Sequence, residues 1–510
     1  MRLPMFLFVL MLTGTRCFAQ QLTPHVSETL NLNIDNIRTT VGETGGNIFY
    51  FHELGGLGAS SLSFGHNMYY FGMELLKLNS QLTTIKTNAL AAGKHLYTVS
   101  TDALQKINGK IYYVYFDVAP GNTLGNMMAA EVDTATLELG EPKSIANLQD
   151  YSVKIKLTER GRYDFEHYFA LSADTKKTAT IVCPGSGKFF ISVADENRNI
   201  LWSKESNFPV KYDAYIESVA VDNNGNVYIT YSERDKNIGP TGQTHIYVAH
   251  AKAQASDIVA GTANVLFRKL LLVPSKDGRN IHAVAWYHQT DWRCIRGVFR
   301  GDISTANFTL GNTIAAPFDD SITLRMARDG MGYKDASGVG IYGQVVVNAF
   351  EMEDGSVNIS GQPYTYADTY KIIFGSVINA RVSTKGAVFA RIPRQGLEES
   401  GNTGNTYFSG QYKDKVIIVY NDITDNLKRD IGAPAKQYKG YHDLVVVAAV
   451  ISADGTVTRQ VVADFSKDDY LAFTQSIYQV SAGNILIPLC RTGPHGGAKD
   501  GTKFVMLEMK

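Results

Sequence analysis

The chain has 510 residues, 49 Lys and Arg against 49 Asp and Glu, and 44% hydrophobic residues. A charge balance at zero, with no basic run, excludes a nucleic-acid binder that works by neutralising phosphates, because such a protein needs a cationic excess. No apolar stretch approaches the roughly 20 residues that a membrane-crossing helix requires.

The N-terminus reads as an export leader. Arg2 supplies the positive start, "LPMFLFVLML" a short apolar run, and "CFA" small residues ahead of Gln20. That pattern predicts cleavage after Ala19, so residues 1–19 are a secretory signal peptide. The charged, bulky Arg16 before Cys17 argues against a lipid-anchored cysteine. The mature protein is expected to be exported, whether periplasmic, envelope-associated or extracellular, with a slightly acidic balance. Residues 20–45 form an N-terminal extension, and 46–510 a single body without a dividing linker.

From there the chain is written in strands. Tyr numbers 28 and Phe 24, with 46 Gly, a mixture suited to half-buried pleated surfaces joined by tight turns. In "GKIYYVYFDV", Ile111, Tyr113 and Tyr115 face one way and Tyr112, Val114 and Phe116 the other. Both faces are apolar or aromatic, which predicts sheets covered on both sides. "GNVYITY", "DKVIIVYND" and "NILIPLC" behave alike. Asn108-Gly109, Asn224-Gly225, Asp354-Gly355 and Asp454-Gly455 tolerate the positive φ of tight hairpins. Helical patterns are scarce; Asn36–Glu43 and "GAPAKQYKGYHDL" hold a turn or two at most.

These strand groups recur in blocks, the mark of a β-propeller. The last block, "SIYQVSAGNILIPLC" with "KFVMLEM", is too short to stand alone. It is expected to pair with the first segment and close the ring, giving seven units, with eight the alternative. The fold class is therefore all-β.

Several motifs reduce to turns. "CPGSGK" lacks the spacing of a phosphate loop, and "KFFISVA" after it alternates as a strand, so no helix N-terminus faces it. "DENRNILW" is a further hairpin, with Trp202 an apolar anchor on the following strand. "DNNGN", Asp222–Asn226, lacks the glycine position and later glutamate of a calcium loop. "RMARDGMGYKD" reads as a solvated loop, and "CRTGPHGGAKDG", with His495, as a Gly-rich hairpin. Cys183, Cys294 and Cys490 remain after the leader, widely spaced and odd in number, which predicts buried thiols. Neither a cofactor nor a metal is expected.

The segment "WYHQTDWRCIRG" is chemically the densest. His288, Asp291, Trp292 and Arg293 are the candidate binding residues, an aromatic platform beside a cation and a titratable pair. No Gly-x-Ser-x-Gly elbow and no His-Glu-x-x-His are present, so no catalytic residue is assigned.

"FEHYFALSADTKKTATIVC…KFFISVADENRNILWSKE", "ESVAVDNNGNVYITY" and "TYFSGQYKDKVIIVYND" resemble exported propeller-like proteins of Bacteroidota, over roughly residues 160–510. The resemblance implies architecture and compartment and carries over no functional residue. The expected role is a non-enzymatic propeller that binds a protein or glycan partner at one rim. The alternatives are a hydrolytic propeller, marked by two acids in an aromatic-walled channel mouth, and a structural or assembly component of the envelope.

Overall fold

The computed structural model describes residues 22–30, 37–54, 72–90, 96–98, 104–119, 123–151, 155, 165–185, 187–210, 213–235, 239–251, 255–262, 265–267, 269–289, 291, 293–336, 338–342, 345–368, 371–399, 406–439, 444–464, 466–468, 470–492 and 498–509. The expected signal peptide, Trp292 and His495 lie outside them.

Among the described residues, eight hydrogen-bonded sheets follow one another along the chain. Sheet 1 holds Ile37–Thr44, Asn47–Leu54, Gly72–Leu78 and Thr84–Leu90; sheet 2 runs from Leu96–Thr98 to Lys143–Ala146. Sheet 3 holds Glu166–Leu171, Lys177–Gly185, Lys188–Asp195 and Ile200–Asn207, and sheet 4 runs from Asp213–Val221 to Ser256–Ala260. Sheet 5 has Leu271–Pro274, Asn280–His288, Cys294–Ser304 and Leu310–Pro317; sheet 6 has Val345–Glu351, Val357–Asp368, Val377–Ser383 and Gly386–Ile392. Sheet 7 has Tyr407–Tyr412, Lys415–Ile423, Leu444–Ile451 and Val457–Ala463. Sheet 8 has Tyr478–Ser481, Asn484–Thr492 and Ala498–Met509. Neighbouring sheets meet along their first strands, which therefore lie nearest the ring axis. The molecule is a β-propeller.

Alternation holds the ring together. In sheet 3, Val182 and Phe190 pack towards sheet 2 against Val114 and Phe116. Their neighbours Ile181, Phe189 and Ile191 pack the other way, against Ile229 and Tyr231 of sheet 4. Each such side chain contributes about 1.5–3 kcal/mol by burial, so a sheet is stabilised on both faces. The perimeter strand Ile200–Asn207 is only half-buried at best.

Closure follows the sequence expectation. Leu22–Val26 lies antiparallel to the final strand, Leu22 opposite Met509 and Val26 opposite Val505. Sheet 8 then packs Leu471, Leu486 and Phe504 on Ile48, Tyr50 and Leu76 of sheet 1. Among the described residues the hydrogen-bonded sheets number eight. Residues 37–90 form a sheet of their own, and only the short strand before them completes the last one.

The turns behave as read. Gly187 has a φ of 75° in the hairpin between Lys177–Gly185 and Lys188–Asp195, and a strand follows it. Asp222 Oδ1 accepts the backbone N–H groups of Asn224 and Asn226, both at 2.9 Å. Its Oδ2 accepts Asn226 Nδ2 at 2.7 Å and the Tyr228 hydroxyl at 3.0 Å. These internal donors occupy the carboxylate. The expected result is that Asp222→Ala costs about 1–3 kcal/mol in denaturant unfolding, whereas added calcium leaves the wild-type melting temperature unchanged. Trp202 Nε1 donates to Gly225 O at 3.1 Å, tying the edge of sheet 3 to the same turn. Cys183, Cys294 and Cys490 are buried, and none forms a disulfide.

"RMARDGMGYKD" is no solvated loop: it contains the end of a helix, α1 (Asp320–Arg328), and the strand Gly332–Asp335. Asp319 caps α1 by accepting Ile322 N at 2.8 Å. Asp329, just past the helix, is buried against Arg391 of sheet 6. The sequence shows the charges but not their long-range partner.

Candidate functional site

Ring curvature brings the first strands of sheets 5 to 8 together at one face, where each runs into the turn leading to its second strand. A cleft of about 630 Å³ opens there. Sheet 5 contributes Lys276, sheet 6 Asn348, Phe350, Glu351 and Glu353, sheet 7 Phe408, Ser409, Gln411 and Lys413, and sheet 8 Tyr478 and Gln479.

Its polar groups are linked across sheets. Lys276 Nζ donates to Gln411 Oε1 at 3.0 Å. Gln411 N donates to Gln479 Oε1 at 3.1 Å, and Gln479 Nε2 returns to Gln411 O at 2.5 Å. Asn348 Nδ2 donates to Ser409 Oγ at 2.8 Å. The Lys413 ammonium lies 4.8 Å from the Tyr412 ring centroid, a cation–π arrangement. The Tyr478 side chain is 37% exposed. Amides, a hydroxyl and carboxylates thus stand beside aromatic surface, able to donate and accept at fixed places.

Glu351 is fixed from behind. Its Oε1 lies 3.3 Å from His282 Nε2, and its Oε2 accepts the Lys276 backbone N–H. His282 Nδ1 lies 2.7 Å from Asp302 Oδ1, and Arg300 Nε donates to that same oxygen at 3.1 Å. Burial disfavours the charged form of Asp302, but hydrogen bonds from His282 and Arg300 outweigh it and hold the carboxyl below its ordinary range.

The residues singled out from sequence lie at the other end of sheet 5, around the connection from its second to its third strand. Asp291 and Arg293 do converge: Arg293 Nη2 and Nε donate to Asp291 at 2.9 Å and 3.0 Å. The Tyr333 hydroxyl donates to Asp291 Oδ2 at 3.2 Å, and the Arg293 guanidinium lies 5.5 Å from the Tyr333 ring. The hydrogen bonds from Arg293 lower the Asp291 carboxyl to about 2. His288 is a buried residue of the second strand, opposite Leu266 and Ile295. Beside this connection a second cavity of about 600 Å³ is lined by Gln289, Phe318 and Leu324, among others. Sequence reasoning missed Tyr333 and every residue of the first cleft. The signal for the latter was faint: polar residues at the ends of the strands before "SKDG", "EMEDG" and "YKDK".

Among the described residues, no group of His, Cys, Asp and Glu side chains is arranged to hold a metal ion, and no helix is long and apolar enough to cross a membrane.

No protein-family model matches the chain, and no curated protein matches it. Similar solved structures include the β-propeller domain of the Trilobed protease from Pyrococcus furiosus, 9% identical over 87% of this chain and 96% of that one, with a TM-score of 0.38. The polysaccharide lyase Uly1 is 10% identical over 93% of this chain and 100% of its own, with a TM-score of 0.40. Oligopeptidase B from Leishmania major is 8% identical over 78% of this chain, which spans 45% of the peptidase, with a TM-score of 0.37.

Proposed function

We propose that the protein is an exported, glycan-binding β-propeller whose ligand lies in the cleft across sheets 5 to 8. The carrying observation is the cleft's make-up: Asn348, Gln411, Gln479 and Glu353 beside Phe350, Phe408 and Tyr478. Sugar rings present hydroxyl donors and acceptors around their edge and apolar C–H groups on their faces. Planar amides and carboxylates meet the first, and aromatic rings the second. A concave site with few polar groups held in register suits selective binding. Export is supported by the leader pattern of residues 1–19.

The test is binding of the mature protein to a panel of defined oligosaccharides. At least one should be retained, and Tyr478→Ala or Gln479→Ala should weaken it about tenfold or more, or about 1.4 kcal/mol. Retention of no glycan, or unchanged affinity in both variants, would overturn the reading.

A second, hydrolytic reading rests on one observation: Glu351 and Glu353 line one cleft with aromatic walls. Release of new reducing ends from the same panel, lost in Glu353→Gln, would move the assignment from binding to hydrolysis.

A further inference from the structure

Behind the cleft wall sits a buried ionic group. His282 and Asp302 are directly opposite on the second and third strands of sheet 5, and Arg300 lies two residues from Asp302 on the same face. The His282, Asp302 and Glu351 side chains are 4%, 7% and 10% exposed. Arg300 also donates to Val382 O at 2.9 Å and Gly355 O at 3.1 Å in sheet 6. Asn312 Nδ2 donates to Asp302 Oδ2 at 3.3 Å. Around this group, Asp277 accepts from the Ser275 hydroxyl and the Arg279 backbone, the Lys276 ammonium turns to Gln411, and Asp354 pairs with Arg381.

The charges do not cancel without help. The group holds one guanidinium and two carboxylates, of which Arg300 meets only Asp302, and burial at this depth opposes a net charge. One further proton balances the group. Its place is the line between His282 Nε2 and Glu351 Oε1, because the other ring nitrogen already faces Asp302 at 2.7 Å, with Arg300 Nη2 farther off at 3.3 Å.

We propose that His282 is a positioning residue for the cleft: by sharing this proton it fixes the Glu351 carboxylate as an acceptor for a ligand hydroxyl, which makes ligand binding pH-dependent. The proposal rests on the cleft being the glycan site. When the proton leaves to solvent, a ring-nitrogen lone pair faces a carboxylate oxygen. Two acceptors then repel, Glu351 is released from its position, and affinity falls as pH rises.

Two measurements test it, one without ligand. In protein carrying ring-13C histidine, the His282 signal, assigned by its loss in His282→Gln, should move as the pH is raised. In the isostere Glu351→Gln that step should move to lower pH. A flat signal, or a titration unchanged by Glu351→Gln, overturns the shared proton. For the second, the oligosaccharide panel is read at about pH 5.5 and about pH 8.5. Wild-type affinity should drop at least about fivefold at the higher pH, while His282→Gln, which keeps a donor towards Glu351, binds alike at both. Equal wild-type affinities overturn the proposal. If no glycan binds at either pH, the reading of the cleft fails, and the histidine titration alone decides whether the proton is shared.

Discussion

Asp329→Ala is expected to lower stability by about 3–5 kcal/mol, the cost of stranding a buried charge. Arg391 Nη2 donates to Asp329 Oδ1 and Oδ2, both at 2.6 Å, and Nε donates to Oδ2 at 2.8 Å. The Ser376 hydroxyl adds a bond at 2.5 Å and the Ala435 N–H one at 3.1 Å. The two charged side chains are 1% and 0% exposed. Removing the carboxylate leaves the guanidinium with the carbonyls of Ile431 and Ala433 and no counter-charge. The carboxylate also joins three pieces, the end of α1, sheet 6 and the 431–435 segment of sheet 7's connection. Guanidinium chloride unfolding should show a lower midpoint at unchanged slope. In Asp329→Ala/Arg391→Met the buried charge is gone, and part of the loss should return, since an apolar pair is often as stable as an ion pair. A single variant within about 1 kcal/mol of wild type would show that solvent reaches Arg391 after all.

That ion pair also shows where sequence reading stops. Its partners are 62 positions apart, and nothing local marks either as buried. The sheets were legible because each reports on itself: alternation in "KFFISVA" fixes two apolar faces whatever lies beside them. Asp291 and Arg293 were legible as a pair because they lie two positions apart. The cleft was not. Lys276 reaches Gln411 across 135 residues, and Gln411 reaches Gln479 across 68. Only the curvature of the ring brings these strand ends together. The first sheet escaped for another reason. Asn36–Glu43 was read as holding a helical turn, yet Ile37–Thr44 is a strand. Its Ile37, Thr39, Thr40 and Val41 are β-branched, and their stiff χ1 favours a pleated surface.

Removing residues 20–30 should cost about as much, because it opens the ring. Leu22–Val26 is the outer strand of sheet 8. Behind it, the Ser27 hydroxyl accepts Phe504 N at 2.9 Å, and Leu30 and Thr502 exchange backbone bonds at 2.8 Å. Without this segment the final strand presents an unpaired, apolar edge, a template for another chain. Leu22, 4% exposed, packs among Ile417, Val446 and Leu507 where sheets 7 and 8 meet; its burial alone is worth about 1.5–3 kcal/mol. Summed with the lost backbone pairs, at about 0.5–1.5 kcal/mol each, the deletion should destabilise by about 4 kcal/mol or more and cause association on a sizing column. A peptide of residues 20–30 added in excess should restore both. Point variants separate packing from pairing. Leu22→Asp should reproduce most of the loss, while Val26→Asp, at a position 46% exposed, should be nearly silent. If both variants melt like wild type and the deletion stays monodisperse, this strand does not close the ring, and the blade-to-blade packing of sheet 8 on sheet 1 must hold it alone.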